Sequence, residues 1–168
     1  MSEIMTPNDA NFLGKVFGGR ILALIDLCAY VTAARFSGEV CVTASIDKVD
    51  FHEPIDVGEV VSLSGMVTYV GRTSVEVTIE VHAENVLKSQ KRHTNTARVT
   101  MVAIRNNKPV PVPRLSCETR EEKIQFLLGR LRRENRDRYA QERERMTERV
   151  NSATDEELDR LLTNPEKS

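Results

Sequence analysis

One carboxylate in this chain stands where a carboxylate is costly. Asp26 falls in the run GGRILALIDLCAYVTAARF, in which Ile21, Leu22, Leu24, Ile25, Leu27 and Cys28 surround it. An unpaired ionised Asp in apolar surroundings costs several kcal/mol, so a chain keeps one there only with a partner or a use, and the use it offers is to accept a proton. Just upstream, Gly18 and Gly19 open the run. Free amides at a helix N-terminus point outward at the positive end of the dipole and can stabilise an oxyanion, while glycine also serves close packing of a helix on a sheet. Asn11 by its own type and place reads as a turn residue after Pro7-Asn8-Asp9. Gly71-Arg72-Thr73-Ser74 joins a guanidinium to two hydroxyls, a set that can hold a phosphate, although most turn arginines are simply solvated.

These groups need elements to position them. After Gly19 about eighteen residues have good helix-forming character with no proline among them. Their apolar positions leave no broad polar face, so the helix is expected to be buried on most sides. Ser37-Gly38 ends it, with Gly38 as a left-handed cap. Ahead of it, Ile4-Met5-Thr6 reads as a short strand stopped by Pro7-Asn8-Asp9. Val40, Val42, Ala44 and Ile46 then alternate with Cys41, Thr43, Ser45 and Asp47 in the period of a strand, broken at His52-Glu53-Pro54. A second strand covers residues 57–70, and Gly71-Arg72 reads as a tight turn. Val75, Val77, Ile79, Val81 and Ala83 alternate cleanly, which predicts one face on the core and one in water. Residues 88–93 read as a polar, basic and solvated connection, and residues 96–104 as a strand closed by Asn106-Asn107. One helix followed by four long strands, without internal repeat, is an α+β pattern with an antiparallel sheet.

Pro109, Pro111 and Pro113 mark a boundary, which divides the chain into residues 1–115 and a helical extension of residues 116–168. More than half of residues 118–150 are charged, with both signs interleaved, which argues against nucleic acid as a partner. Thr119 to Glu122 fits a capping box; Ile124, Leu127, Leu128 and Leu131 form one apolar stripe. A second box, Thr154 to Glu157, opens a short helix bearing Leu158, Leu161 and Leu162. The extension is too polar for a core of its own and is expected to dock by its leucines, with exposed pairs such as Glu134–Arg138 between.

The 168 residues carry a formal charge of -1, so no global field favours nucleic acid, membrane or an anionic substrate. Cys28, Cys41 and Cys117 are odd in number and lack a CxxC spacing, which argues for a reducing compartment. Cys28 points about 200° round the helix from Asp26 with no His placed to activate it, and reads as a small core hydrophobe. The segment MSEIMTPND has neither a basic nor an apolar leader region, and the main helix is too short for a membrane span; a cytoplasmic protein is expected. His52, His82 and His93 have no metal-ligand spacing, so no metal is expected.

The stretch PNDANFLGKVFGGRILALIDLCA resembles the signature of the hot-dog-fold acyl-CoA thioesterases, the cytosolic and brain acyl-CoA hydrolase group and its single-domain bacterial members. The resemblance continues through VTASIDKVDFHEPIDVGEVV, VGRTSVEVTIEV, TARVTMVAI and PVPRL, and so covers residues 4–115. It implies a long central helix wrapped by an antiparallel sheet and an enzyme of fatty acid metabolism that hydrolyses acyl-CoA to free acid and coenzyme A. Asp26 would be the general base, and Asn11, facing it across a dimer interface, would bind water or the thioester carbonyl. The amides of Gly18 and Gly19 would hold the oxyanion, and Arg72, Thr73 and Ser74 would lie near the coenzyme A phosphates. No cofactor is implied beyond the coenzyme A of substrate and product. The family's dimers commonly join into hexamers, so the resemblance implies a homodimer as the minimal unit and a trimer of dimers, with the tail reinforcing that assembly. The alternative is a non-catalytic acyl-CoA-binding or regulatory module; a retained Asp26 argues against it. The Asp/His pair of hot-dog dehydratases is not evident.

Overall fold

Residues 18–37 lack proline and coil into helix α1 (Gly18–Ser37), which the chain leaves through Gly38 at φ 71°, its amide closing on the Ala34 carbonyl at 2.9 Å. A left-handed residue costs glycine nothing, so the expected cap is where the helix stops. The computed structural model describes residues 1–51 and 53–163, so His52 of the expected strand break lies outside the described residues. Around α1 run β1 (Ser2–Ile4), β2 (Val40–Ile46), β3 (Val60–Val70), β4 (Ser74–Asn85), β5 (Gln90–Arg105) and β6 (Lys108–Pro109). They form one antiparallel sheet in the order β1-β3-β4-β5-β2, with β6 also paired to β5. The β5–β6 turn is Asn106-Asn107, both at positive φ, the geometry that closes a tight hairpin.

The core lies between α1 and one face of the sheet. Ile21, Leu24, Ile25 and Ala29 meet Val75, Val77, Ile79 and Val81 of β4 and Val99 and Met101 of β5 within one buried cluster. Each large side chain so buried contributes about 1.5–3 kcal/mol. Gly65 lets β3 approach the helix: a Cβ there would come within 2.4 Å of the Thr32 hydroxyl oxygen.

Five local expectations change. The first strand runs over Ser2–Ile4 and not over Ile4-Met5-Thr6. Residues 90–93 are not a solvated connection but the first pairs of β5; only Val86–Lys88 makes a short 3₁₀ turn. On β2 the buried side chain is Cys41, on the face turned to α1, while Val40 and Val42, on the opposite face, stand exposed. On β4 the second face is not all in water: Glu76 is 2% exposed and Thr78 is buried, and the Thr68 hydroxyl bonds both, at 2.9 Å to Glu76 and 3.0 Å to Thr78. Leu115, Ser116, Cys117, Glu122 and Gln125 line one cavity with Met66, Val67 and the same Thr68. The last change concerns the extension. Phe126, whose ring lies 5.1 Å from that of Tyr69, makes its aromatic contact, while Ile124 and Leu127 stay exposed.

By contacts the chain divides into two compact units, Met1–Leu127 and Leu128–Ser168, with the division inside helix α2 (Arg120–Asn151). Both capping boxes form, Thr119 with Glu122 at the start of α2 and Thr154 with Glu157 at the start of α3 (Asp155–Thr163). In the second unit Glu134 pairs with Arg130 at 3.1 Å and Arg133 with Asp137 at 3.8 Å. The expected Glu134–Arg138 pair gives way, with Arg138 donating to Asn135.

Candidate functional site

The approach to α1 is a tied loop. Thr6 donates its amide to an Asp9 carboxylate oxygen at 2.8 Å and its hydroxyl to the same oxygen at 2.6 Å, and Arg20 Nε lies 2.9 Å from the other oxygen. The Thr6 hydroxyl and amide, then the Arg20 charge, hold the Asp9 carboxyl below its ordinary value. The Asp9 carbonyl accepts the Phe17 amide at 2.8 Å, which sets the helix entry against the loop. Asn11 sits inside this loop. Its Oδ1 accepts from the amides of Leu13 (2.8 Å) and Lys15 (3.2 Å), and its own amide donates to the Lys15 carbonyl at 2.7 Å. The turn role read from sequence is therefore real, and it uses the carbonyl end of the side chain. Nδ2 makes no hydrogen bond among the described residues and is left able to donate.

Asn11 shares a depression of about 460 Å³ with Asp9, Phe12, Phe17, Gly19 and Arg20. Arg20 closes the first turn on the Phe17 carbonyl, and the amides of Gly18 and Gly19 find no acceptor among the described residues. Two free donors at a positive helix end suit a developing oxyanion. Space favours glycine at position 19, where a Cβ would stand 2.3 Å from the Phe17 ring and displace it, whereas a Cβ on Gly18 would make only ordinary contact with Phe51 at 3.7 Å.

Asp26 lies seven residues beyond Gly19, nearly two turns and so on the same face, about 10 Å along the axis. It is half-buried, and its Oδ1 accepts the Thr43 hydroxyl of β2. Oδ2 has no partner among the described residues. Thr43 stands at a bulge in the β2–β5 register, between Thr43 and Ser45, and bulges commonly re-aim a side chain. In the sequence Thr43 carries no signal beyond a polar place in an alternating strand. No hydrogen bond or ion pair joins Asn11 to Asp26 among the described residues. Around Asp26 the helix shows apolar side chains to the outside: Leu27 is 49% exposed, and Tyr30 and Val31 are open, as are Val40 and Val42 on the adjoining edge strand and Phe12 and Phe17 in the loop. Leu27, Tyr30 and Val31, at i, i+3 and i+4, form an exposed apolar stripe on α1, and apolar surface of this kind marks an interaction site.

Arg72 and Thr73 lie in the turn between β3 and β4, and Ser74 opens β4. Their backbone is committed: the Ser74 carbonyl accepts the Gly71 amide at 2.8 Å, Thr73 accepts from Ala103 and Arg72 from Val112 at 3.0 Å each. The Arg72 side chain is exposed, as a phosphate-holding group must be. Among the described residues no group of three or more His, Cys, Asp or Glu is placed to hold a metal ion, and no helix is long and apolar enough to cross a membrane.

Residues 13–90 match the thioesterase superfamily. The chain is 40% identical to the protein VdlD of Helicobacter pylori over 133 residues, 79% of this chain and 76% of that one. It is 42% identical to the uncharacterised acyl-CoA thioester hydrolase YkhA of Bacillus subtilis, over 69% of this chain and 68% of that one. Among solved structures, an apo-hexameric acyl-CoA thioesterase superposes with a TM-score of 0.79 at 42% identity, covering 83% of this chain and 90% of that chain. The acyl-CoA hydrolase of Staphylococcus aureus, solved with butyryl coenzyme A, coenzyme A and coenzyme A disulfide, gives 0.78 at 31%, covering 90% and 93%. Three variants of that enzyme replace an Asn, an Asp and a Thr by alanine, at positions fifteen and seventeen residues apart. Asn11, Asp26 and Thr43 have those same spacings.

Proposed function

The chain belongs to the hot-dog acyl-CoA thioesterases of the thioesterase superfamily, and from that membership we propose that it hydrolyses acyl-CoA to a free carboxylic acid and coenzyme A. One observation carries the finer reading: the Thr43 hydroxyl holds one oxygen of Asp26 and leaves the other open, in an Asn-Asp-Thr set whose spacing is that of the three positions altered in the Staphylococcus aureus enzyme. In the proposed reaction the open oxygen of Asp26 takes a proton from water as the water oxygen attacks the thioester carbonyl. The amides of Gly18 and Gly19 and the Nδ2 of Asn11 receive the charge that develops on the carbonyl oxygen. Collapse of the tetrahedral adduct breaks the C–S bond, and the thiolate leaves with the proton from Asp26.

Within one chain Asp26 stands about 10 Å up the helix from Gly19, beyond the reach of one reacting carbonyl. The proposed site therefore joins Asp26 and Thr43 of one subunit to Gly18, Gly19 and the partner subunit's Asn11, in a homodimer that covers the open apolar stripe of α1. Arg72, Thr73 and Ser74 are proposed to hold coenzyme A phosphates. No metal or other cofactor enters the proposed reaction. Residues 1–115 would carry the hydrolase and residues 116–168 would reinforce a trimer of dimers, as in the hexameric acyl-CoA thioesterase that this chain resembles. A cytoplasmic setting and a role in fatty acid metabolism belong to the same proposal.

Thiol release from a panel of acyl-CoA chain lengths tests it. Wild-type protein is expected to turn over, and folded Asp26→Asn to lose about 10²–10⁴ in rate, the usual cost of a general base. Mixing Asn11→Ala with Asp26→Ala, each strongly impaired but with measurable residual turnover, is expected to restore part of the rate through heterodimers with one intact site. Equal rates for wild type and Asp26→Asn would remove the base, exchange without recovery would remove the shared site, and no turnover by wild type would favour an acyl-CoA-binding module.

A further inference from the structure

Arg92 was read from sequence as part of a solvated connection, yet its guanidinium is the most heavily used in the first unit. Nη1 donates to Glu59 Oε1 at 2.6 Å, Nη2 to Glu59 Oε2 and to the Pro54 carbonyl at 2.7 Å each, and Nε lies 3.3 Å from Glu53. Glu59 is 4% exposed, so this is a two-pronged pair at a largely buried carboxylate, and Arg92 holds its carboxyl below the ordinary value. A guanidinium so engaged has no fork left for a phosphate. What it does hold is residues 53–59. Glu59 Oε2 also accepts the Asp56 amide at 2.9 Å, the Asp56 carboxylate pairs with Lys15, and the Ile55 carbonyl accepts the Val16 amide at 2.9 Å. Lys15 in turn gives its amide to Asn11 Oδ1 and takes the Asn11 amide on its carbonyl.

We propose that Arg92 is a positioning residue for Asn11, acting through Glu59 and the strip of chain at residues 54–56. The inference rests on the reading of Asn11 as a site residue. Asn11 lies on a loop without helix or strand of its own, so its side chain is placed only as well as residues 15 and 16 are pinned. Those two residues are pinned by Ile55 and Asp56, and these by the Arg92–Glu59 pair anchored in β5. A displacement near 1 Å of a group at a reacting centre costs about a hundredfold in rate. Lysine keeps the charge but lacks the fork, so it is not a conservative change at such a site.

The test compares Arg92→Lys and Glu59→Gln, each alone and combined with Asn11→Ala, in the full chain. Hydrogen exchange at the Leu13 and Lys15 amides is expected to speed up in both single variants while exchange in β4 stays as in wild type. Acyl-CoA turnover is expected to fall about ten- to hundredfold in kcat with KM changed less than about twofold. With Asn11→Ala already present, the further loss is expected to be under about threefold, because the group being positioned is gone. Unchanged exchange over residues 11–16 in folded variants, or an equal loss with and without Asn11, overturns the proposal. If Arg92→Lys does not fold, Glu59→Gln, which keeps side-chain size and one carbonyl acceptor, decides by the same readouts. Should wild type show no hydrolysis, the thioesterase reading fails, and the exchange measurement still decides whether Arg92 pins the loop.

Discussion

Helices α1 and α2 are both long and unbroken by proline, and opposite forces hold them. Over its 20 residues α1 buries Ile21, Leu24, Ile25, Cys28, Ala29 and Ala33 against the sheet, and its first amides and its one carboxylate are left for other partners. Over 32 residues α2 buries only Gly129 among the described residues, and beyond the Phe126–Tyr69 contact near its start what supports it is local: a capping box and pairs such as Arg130–Glu134. A helix of the first kind gets its stability from tertiary packing and can carry groups whose polar needs are unmet. A helix of the second kind spends its polar groups on itself, each pair adding a few tenths of a kcal/mol, and has nothing left over for chemistry. The difference locates the proposed chemistry on α1 and an architectural role on α2.

That contrast can be broken by substitution. The largest effect is expected from Ile25→Ala, where a fully buried side chain leaves a cavity: about 2–5 kcal/mol by denaturant titration. Leu131→Ala, at a residue 52% exposed, is expected to cost under about 1 kcal/mol in the same titration. Similar costs for the two would mean that α2 is packed as α1 is.

Next comes the cap of α2. Thr119→Ala is expected to cost about 1 kcal/mol of helix stability, read as lost helicity on heating. The cap also carries a pH signature. Amide hydrogen bonds from Thr119 and Glu118 hold the Glu122 carboxyl below its ordinary 4.5. A carboxylate with a lowered folded value stabilises above the unfolded value and loses that contribution as pH falls through the folded one. Helicity of α2 is therefore expected to decline on acidification below 4.5, and Glu122→Gln to flatten that decline; an identical acid profile for both proteins would dismiss the cap as its source. The smallest effect is assigned to Arg130→Ala, which removes one exposed pair and should cost no more than about 0.5 kcal/mol, a difference that vanishes at high salt. A loss of several times that size would show that α2 is held by something other than its own surface.

Much of this was legible in the chain. The all-round apolar run after Gly18-Gly19 dictated a covered helix, Gly38 its end, the alternation from Val75 to Ala83 a strand, and Thr119 to Glu122 a cap, because each depends on neighbours within a few residues. The motif around Asn11 and Asp26 carried the family resemblance for the same reason. What stayed hidden depends on separation along the chain. Thr43 meets Asp26 because a bulged edge strand folds beside the helix, and nothing in VTASID distinguishes that threonine from a solvated one. Arg92 looked like one basic residue among several until β5 set it against Glu59, thirty-three residues earlier. Glu76 was read as wetted by its place in an alternating strand and is buried, bonded to the Thr68 hydroxyl from the neighbouring strand. Sequence alone determined the long helix, the middle of each long strand and the chemistry-bearing motif, since propensity, capping and periodicity act locally. Only the tertiary structure decided which polar groups meet and which are left open, since those pairings depend on strand order, register and the return of distant segments, for which local pattern carries no term.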